Sequence, residues 1–180
     1  MVKGHLGGHC DITHVDRGAL KYLIERFSPK TMLDIGCGPG GMLAEASSNN
    51  IESVGIDGYP GKNMVKDEVI IIHDFTKGPY MHQKKTYDLG WSCEFVEHVR
   101  EEFQDNYMKS FSICNVVAMT YAPPGKGGHH HVNCRTEEYW IDVFNGYNFQ
   151  IDRESTLGFR KSSSLKNNFV RNHGIIFTKR

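Results

Sequence analysis

The chain has 180 residues, and its 21 basic side chains balance 21 acidic ones, leaving no formal net charge. That balance argues against a broad attraction to nucleic acid or to an anionic membrane surface, and no apolar run approaches the length that spans a bilayer. Five scattered cysteines without a C-x-x-C pair fit reduced thiols in a cytoplasmic protein better than a disulfide framework, and the length suits one domain.

Residues 1–16, MVKGHLGGHCDITHVD, carry no apolar signal region and no clear period. They form an N-terminal arm holding His5, His9 and His14, either a plain tail or a segment that folds back over a ligand, ahead of a domain over 17–180. From Asp16 to Phe27 the spacing of Leu20, Leu23, Ile24 and Phe27 predicts a helix, with Asp16 as N-cap and Ser28-Pro29 as its stop.

TMLDIGCGPGG, Thr31 to Gly41, is the organising stretch. A buried strand over about Met32–Cys37 runs into a glycine-rich turn, where Gly36 and Gly38 tolerate positive φ and let a ligand approach the backbone. The helix over Gly41–Ser48 points its first N–H groups back at that ligand. Gly36, Gly38 and Gly41 satisfy G-x-G-x-x-G, which serves dinucleotides, but Asp34 would repel a pyrophosphate at this turn. A ligand carrying an ammonium and a sulfonium, and no phosphate, suits that carboxylate.

Strand two, SVGID, closes at Asp57, where a carboxylate accepts hydrogen bonds from ribose hydroxyls, and Gly58 follows. The stretch from Asp57 to Val69 is short for a parallel crossover, so the second crossover helix is expected to be reduced to a turn or missing. Strand three, EVIIIHDF, brings Asp74 and Phe75 to its end. Strand four covers about Tyr87–Cys93. A long helix-like stretch follows from Glu94, with Val99, Phe103, Tyr107 and Phe111 as an i, i+4 stripe.

Strand five spans about Asn115–Ala122, and PPGKGGHHHVNCR is a loop by composition. Thr136 caps a helix that ends near Gly146. FQIDRES and GIIFTK read as two further strands, separated by a basic, polar excursion with no assigned structure over 157–172. Alternating strands and helices give an open, doubly wound α/β sheet. Ligands then bind at the carboxyl ends of strands one to four.

LDIGCGPG with the acids that follow it, and SCEFVEHV at the exit of strand four, resemble class I S-adenosylmethionine-dependent methyltransferases of the small-molecule type, over Met32 to about Gly146. The resemblance implies a single-domain Rossmann-like sheet, mostly parallel with an antiparallel last strand, and S-adenosylmethionine as cofactor. It places Asp34, Gly36, Cys37, Gly38 and Gly40 at the cofactor turn and Asp57 and Gly58 at the ribose. Asp74 then takes the adenine amine, Phe75 the ring, and Ser92 and Cys93 the methionine end.

The implied reaction is in-line methyl transfer to a small-molecule acceptor. A base is required only where the acceptor must lose a proton. His98, at the head of the helix-like stretch beside Glu97, is a candidate, as are His129 and His131 in the loop after strand five; His9 and His14 complete the pool. His129, His131 and Cys134, together with histidines of the arm, offer nitrogen and sulfur donors, but their spacing matches no familiar zinc pattern and no metal is assigned. A cofactor-binding module without catalysis and a nicotinamide-dependent oxidoreductase stand as alternatives.

Overall fold

The computed structural model describes residues 4–6, 8, 12–61, 69–83 and 86–180. Five strands run parallel: β1 (Thr31–Ile35), β2 (Glu52–Asp57), β3 (Ile70–Ile72), β4 (Tyr87–Ser92) and β5 (Cys114–Thr120). Two more follow late in the chain, β6 (Phe149–Ile151) and β7 (Gly174–Lys179), and β7 is antiparallel to both β5 and β6. The sheet order is β3-β2-β1-β4-β5-β7-β6. From β1 the chain first builds outward through β2 and β3, then crosses to β4 on the other side of β1. That reversal opens a crevice at the carboxyl ends of β1 and β4, where doubly wound sheets hold their ligands.

The helices are α1 (Arg17–Phe27), α2 (Gly41–Ser48), α3 (Gln104–Phe111), α4 (Glu137–Gly146), α5 (Arg153–Ser162) and α6 (Phe169–His173). Strand side chains alternate between the two faces of the sheet. Leu33, Val117, Met119, Ile175 and Phe177 meet α3 and α4 through Tyr107, Phe111, Trp140 and Phe144. Met32, Leu89, Trp91, Ala118 and Ile176 meet α1, α2, α5 and α6 through Leu20, Leu23, Met42, Leu43, Phe159 and Val170. The two clusters make three layers.

Asp16 caps α1 by accepting the Ala19 N–H at 3.0 Å, and Thr136 caps α4 by accepting that of Tyr139 at 3.3 Å. The second crossover falls largely on residues 62–68, outside the described residues. Strand three is shorter than its apolar run, spanning only Ile70–Ile72.

Two sequence expectations are corrected. The stretch after β4 is not one helix: Glu94 sits at φ 55, Val96–His98 and Glu101–Phe103 are single 3-10 turns, and the α-helix begins only at Gln104. The left-handed Glu94 and the extended Val99 interrupt the helical path, and Glu97 and His98 are directed by the turn between them. The second correction concerns the C-terminal region. The strand begun by FQI stops at Ile151, because Asp152 accepts the Ser155 N–H at 2.9 Å and starts α5. That helix hides from an apolar pattern because its buried face includes Ser155 and Thr156, with Thr156 Oγ1 accepting the Ile176 N–H at 2.9 Å.

Candidate cofactor cleft and acid–histidine cluster

A cleft of about 400 Å³ opens at the crevice between β1 and β4. Its floor is the glycine turn. Gly36 and Cys37 both donate to the Ile56 carbonyl, at 2.8 and 3.2 Å, which ties the turn to β2. Gly36, Gly38 and Gly40 take φ of 80, 49 and 82°, so the turn needs residues without a Cβ. At Gly36 a Cβ would also stand 2.4 Å from the Phe95 ring, which lies directly over it. Asp57 braces the same turn: Oδ2 accepts the Gly38 N–H at 2.9 Å and Oδ1 accepts the Tyr59 N–H at 2.7 Å.

Asp34, Gly36, Cys37, Gly38, Asp57, Gly58, Asp74, Phe75 and Cys93 all line the cleft. Asp34 is 3% exposed, and burial, reinforced by the nearby Asp57 carboxylate, pushes its carboxyl well above the usual range. A cationic ligand would relieve both effects, whereas a phosphate would worsen them. Of the described lining residues Lys126 is the single Lys or Arg. The donor set therefore fits the ammonium and sulfonium of S-adenosylmethionine.

At the far end of the cleft, Asp74 Oδ1 accepts from the Thr76 N–H at 3.0 Å and its hydroxyl at 2.7 Å, while Oδ2 faces His5 Nε2 at 3.3 Å. Burial opposes ionisation of Asp74, but these partners outweigh it and hold the carboxyl below its ordinary value. Phe75 is almost fully buried, edge-on to Phe95 and Tyr107, so only a margin of the ring borders the cleft.

Two predicted residues stand apart from the lining. Ser92 donates its hydroxyl to the Ile35 carbonyl at 2.8 Å, stitching β4 to β1, and Gly40 closes the turn at the head of α2. From the arm, His5, Leu6, Gly8, Ile12, Thr13 and His14 border the cleft, and Thr13 Oγ1 accepts the Gly41 N–H at 3.1 Å. His9 lies outside the described residues.

Beyond the end of β4 the structure gathers a second group. Ligand atoms of Glu97, His98 and His131 all lie within 4.8 Å of one another. Glu97 is 0% exposed, and the neighbouring acid Glu94, with which its carboxyl shares a side-chain hydrogen bond, is the partner it has among the described residues. Burial, then the adjacent Glu94, raises its pKa to about 8. Glu94 is also raised by burial; it sits in the strained left-handed region, with its N–H donating to Thr120 Oγ1 at 2.8 Å.

His98 is pushed down to about 4, chiefly by burial and then by the neighbouring His131, so it is a neutral imidazole and a poor general base at pH 7. Both histidines are tied to the backbone of the loop after β5: His131 Nδ1 is bonded to the Lys126 carbonyl at 3.1 Å, and His98 to the His129 backbone. The loop is fastened to the turn because Val132 and Asn133 N–H groups both donate to the Glu97 carbonyl, at 2.9 and 3.0 Å.

One buried carboxyl and two imidazoles, brought within 4.8 Å of one another, form a donor set suited to a divalent first-row cation. His129, which also borders the cleft, is packed against Gly8 of the arm and is not in this group. Sequence reasoning picked His98 and His131 as separate candidates and missed their union with Glu97 and Glu94. The available signal was the density of donors in Glu94-x-x-Glu97-His98 at a strand exit.

No family model matches the chain, and no curated protein matches it. Solved structures do. The magnesium protoporphyrin IX methyltransferase of Synechocystis PCC 6803 with bound S-adenosylmethionine aligns over 90% of this chain and 76% of its own, at 13% identity and a TM-score of 0.61. The methyltransferase domain of bacterial CtHen1 aligns over 90% of this chain and 96% of its own, at 15% identity and a TM-score of 0.58. A Haemonchus contortus phosphoethanolamine N-methyltransferase, in complex with phosphomonomethylethanolamine and S-adenosylhomocysteine, aligns over 79% of this chain at 18% identity and a TM-score of 0.54. This chain spans only 41% of that one. The fold is that of the class I S-adenosylmethionine-dependent methyltransferases.

Proposed function

We propose that the chain is an S-adenosylmethionine-dependent methyltransferase that acts on an oxygen nucleophile of a small-molecule acceptor with the help of a divalent cation. The single observation that carries this reading is Glu97: a fully buried carboxyl set against a second acid, Glu94, and beside two imidazoles at the mouth of an acidic cofactor cleft. Packing two carboxyls together in a buried site disfavours their ionisation, and a bound cation removes that cost.

S-adenosylmethionine held in the cleft supplies a methyl group already activated by its sulfonium. Asp34 balances the cofactor's positive charge, and Asp57 fixes the glycine turn while offering its carboxylate to the ribose. Asp74 accepts the adenine amine. The protein's main contribution is alignment, since orienting donor and acceptor can account for several kcal/mol of a barrier, roughly 7–11 in the best cases.

Glu97, His98 and His131, with Glu94 alongside, would hold the cation, which when bound would supply Lewis-acid chemistry and make an acceptor hydroxyl easier to deprotonate. This changes the role given to the histidines. His98 and His131 are ligands here and not bases, consistent with the low basicity of His98, and His129 borders the acceptor's approach. The nicotinamide alternative is disfavoured by the buried Asp34, and a purely cofactor-binding module leaves the Glu97 cluster without a use.

The test has two arms. In calorimetry, S-adenosylhomocysteine should bind and NAD should not. In electron paramagnetic resonance, the protein should take up about one Mn2+, and Glu97→Gln should weaken that binding by about tenfold or more. Failure to bind S-adenosylhomocysteine sinks the cofactor assignment; equal Mn2+ binding by the variant sinks the cation centre.

A further inference from the structure

The cleft is divided by charge. Asp34, Asp57 and Asp74 lie at or just beyond the carboxyl ends of β1, β2 and β3, where the cofactor is expected. Lys126, the single lysine or arginine among the described lining residues, stands across β4 in the loop after β5. Its backbone is held at both ends. Pro123-Pro124-Gly125-Lys126 is a tight turn: the Lys126 N–H donates to the Pro123 carbonyl at 3.1 Å, Pro124 suits the second position, and Gly125 takes the third with φ of 81°. The Lys126 carbonyl is bonded to His131 Nδ1 at 3.1 Å. The side chain therefore starts from a fixed point, unlike that of a lysine on a free loop. Its charge acts on Glu94 and also on His173, the last residue of α6, whose first residue, Phe169, lines the cleft. The ammonium is thus near both the acid–histidine cluster and α6. Arg160, the other cation acting on His173, is already paired with Glu137 at 2.6 Å. The Lys126 ammonium has no ion pair or hydrogen bond among the described residues.

We propose that Lys126 selects the acceptor: its ammonium binds an anionic oxygen group, a carboxylate or a phosphate, carried by the hydroxyl compound that is methylated. This names the substrate class for the reading given under Proposed function and rests on it. Charge balance favours it. A divalent cation would be matched by the two carboxylates of Glu94 and Glu97, which leaves the ammonium of Lys126 as the unbalanced charge on that wall. A cation without a partner beside a cleft attracts anions and orients them. A hydrogen bond from an ammonium to an ionised oxygen is also roughly twice as strong as one between neutral groups. An acceptor held by Lys126 at its anionic end, with its hydroxyl beside Glu97, His98 and His131, is fixed at two points. A neutral alcohol is fixed at one. Loss of the charged contact should cost about tenfold or more in affinity.

The experiment titrates inorganic phosphate and, separately, acetate into the intact chain saturated with S-adenosylhomocysteine. Chelator is present so that no metal contributes, and chloride keeps the ionic strength constant. The wild type should bind one of the two anions at millimolar concentration, and the tighter of them tells a phosphate acceptor from a carboxylate one. Lys126→Gln should weaken that binding by about tenfold or more, and Lys126→Arg, which keeps the charge, should retain most of it. Heat protection by S-adenosylhomocysteine reports that both variants are folded with the cofactor cleft intact. Anion binding that is unchanged in Lys126→Gln, or absent from the wild type, overturns the proposal. Two further measurements separate it from the reading it rests on. Lys126→Gln should bind Mn2+ at least as well as the wild type, whereas Glu97→Gln should lose Mn2+ and keep the anion. If the wild type binds no Mn2+, the cation centre fails, and the anion titration still decides whether Lys126 is an anion site. If S-adenosylhomocysteine does not bind, the cofactor assignment fails, and the same titration on the free chain decides Lys126.

Discussion

Asp57 Oδ2 accepts the N–H of Gly38 at 2.9 Å, joining the end of β2 to the middle of the glycine turn at the end of β1. One side chain therefore serves both the shape of the turn and the expected ribose contact. Asp57→Ala should lower S-adenosylhomocysteine affinity by about 1–3 kcal/mol, roughly fivefold to 150-fold. Asp57→Asn, which keeps one acceptor oxygen, should fall between the variant and the wild type. Calorimetric titration measures both.

Gly36 and Phe95 form the second close contact of the site. Gly36→Ala would combine a positive φ with a Cβ set 2.4 Å from the ring. It should destabilise the fold by about 3 kcal/mol or more, read as a drop in the urea midpoint. Adding Phe95→Ala should relieve the clash but not the backbone strain, so the double variant should recover less than the full loss.

Metal-free stability should depend on pH through Glu97 and His98, with opposite signs. Glu97 has its pKa raised from 4.5 to about 8, so between those values the folded state holds a proton that the unfolded state has released. Stability then falls as pH rises. His98 is lowered from 6.5 to about 4, so in that window the unfolded state binds the extra proton and stability rises with pH. The two offset each other up to about pH 6.5. Above it the His98 contribution is spent, and in a chelator Glu97 should lower stability by about 1.4 kcal/mol per pH unit toward pH 8, with the raised Asp34 acting in the same direction. Glu97→Gln should flatten that descent, and saturating Mn2+ should reverse it. Chemical denaturation across the pH range tests the sign.

Asp16 and the segment after α5 provide a stability test away from the cleft. The fully buried Asp16 accepts from the Ala19 N–H, from Ser163 Oγ at 2.5 Å, and from the N–H and hydroxyl of Ser164. Asp16→Ala removes the cap of α1 and strands donors from both ends of the chain. It should cost about 2–4 kcal/mol in the denaturation midpoint while leaving Mn2+ binding unchanged.

The glycine turn and its carboxylates were legible because local chemistry specifies them. A run of glycines imposes its own backbone angles, an apolar run before it makes a strand, and Asp34, Asp57 and Asp74 lie at or just beyond the carboxyl ends of β1, β2 and β3, which the topology brings together. The helix over Gly41–Ser48 and the caps Asp16 and Thr136 follow from the same local rules. Where polar residues face inward, that reading failed. In α5 the buried Ser155 and Thr156 break the apolar period, and after β4 the stripe from Val99 to Phe111 suggested a helix that only its second half forms.

By itself, then, the sequence determined a doubly wound sheet with an acidic, glycine-lined crevice, since strand period, turn chemistry and caps act over a few residues. Only the tertiary structure decided that Glu97 and His98 would meet His131. That meeting depends on two backbone N–H groups of a distant loop bonding to the Glu97 carbonyl, and on a left-handed Glu94 that redirects the chain. Contacts between residues far apart in sequence carry no period, and a side chain's direction is fixed only when its neighbours are in place.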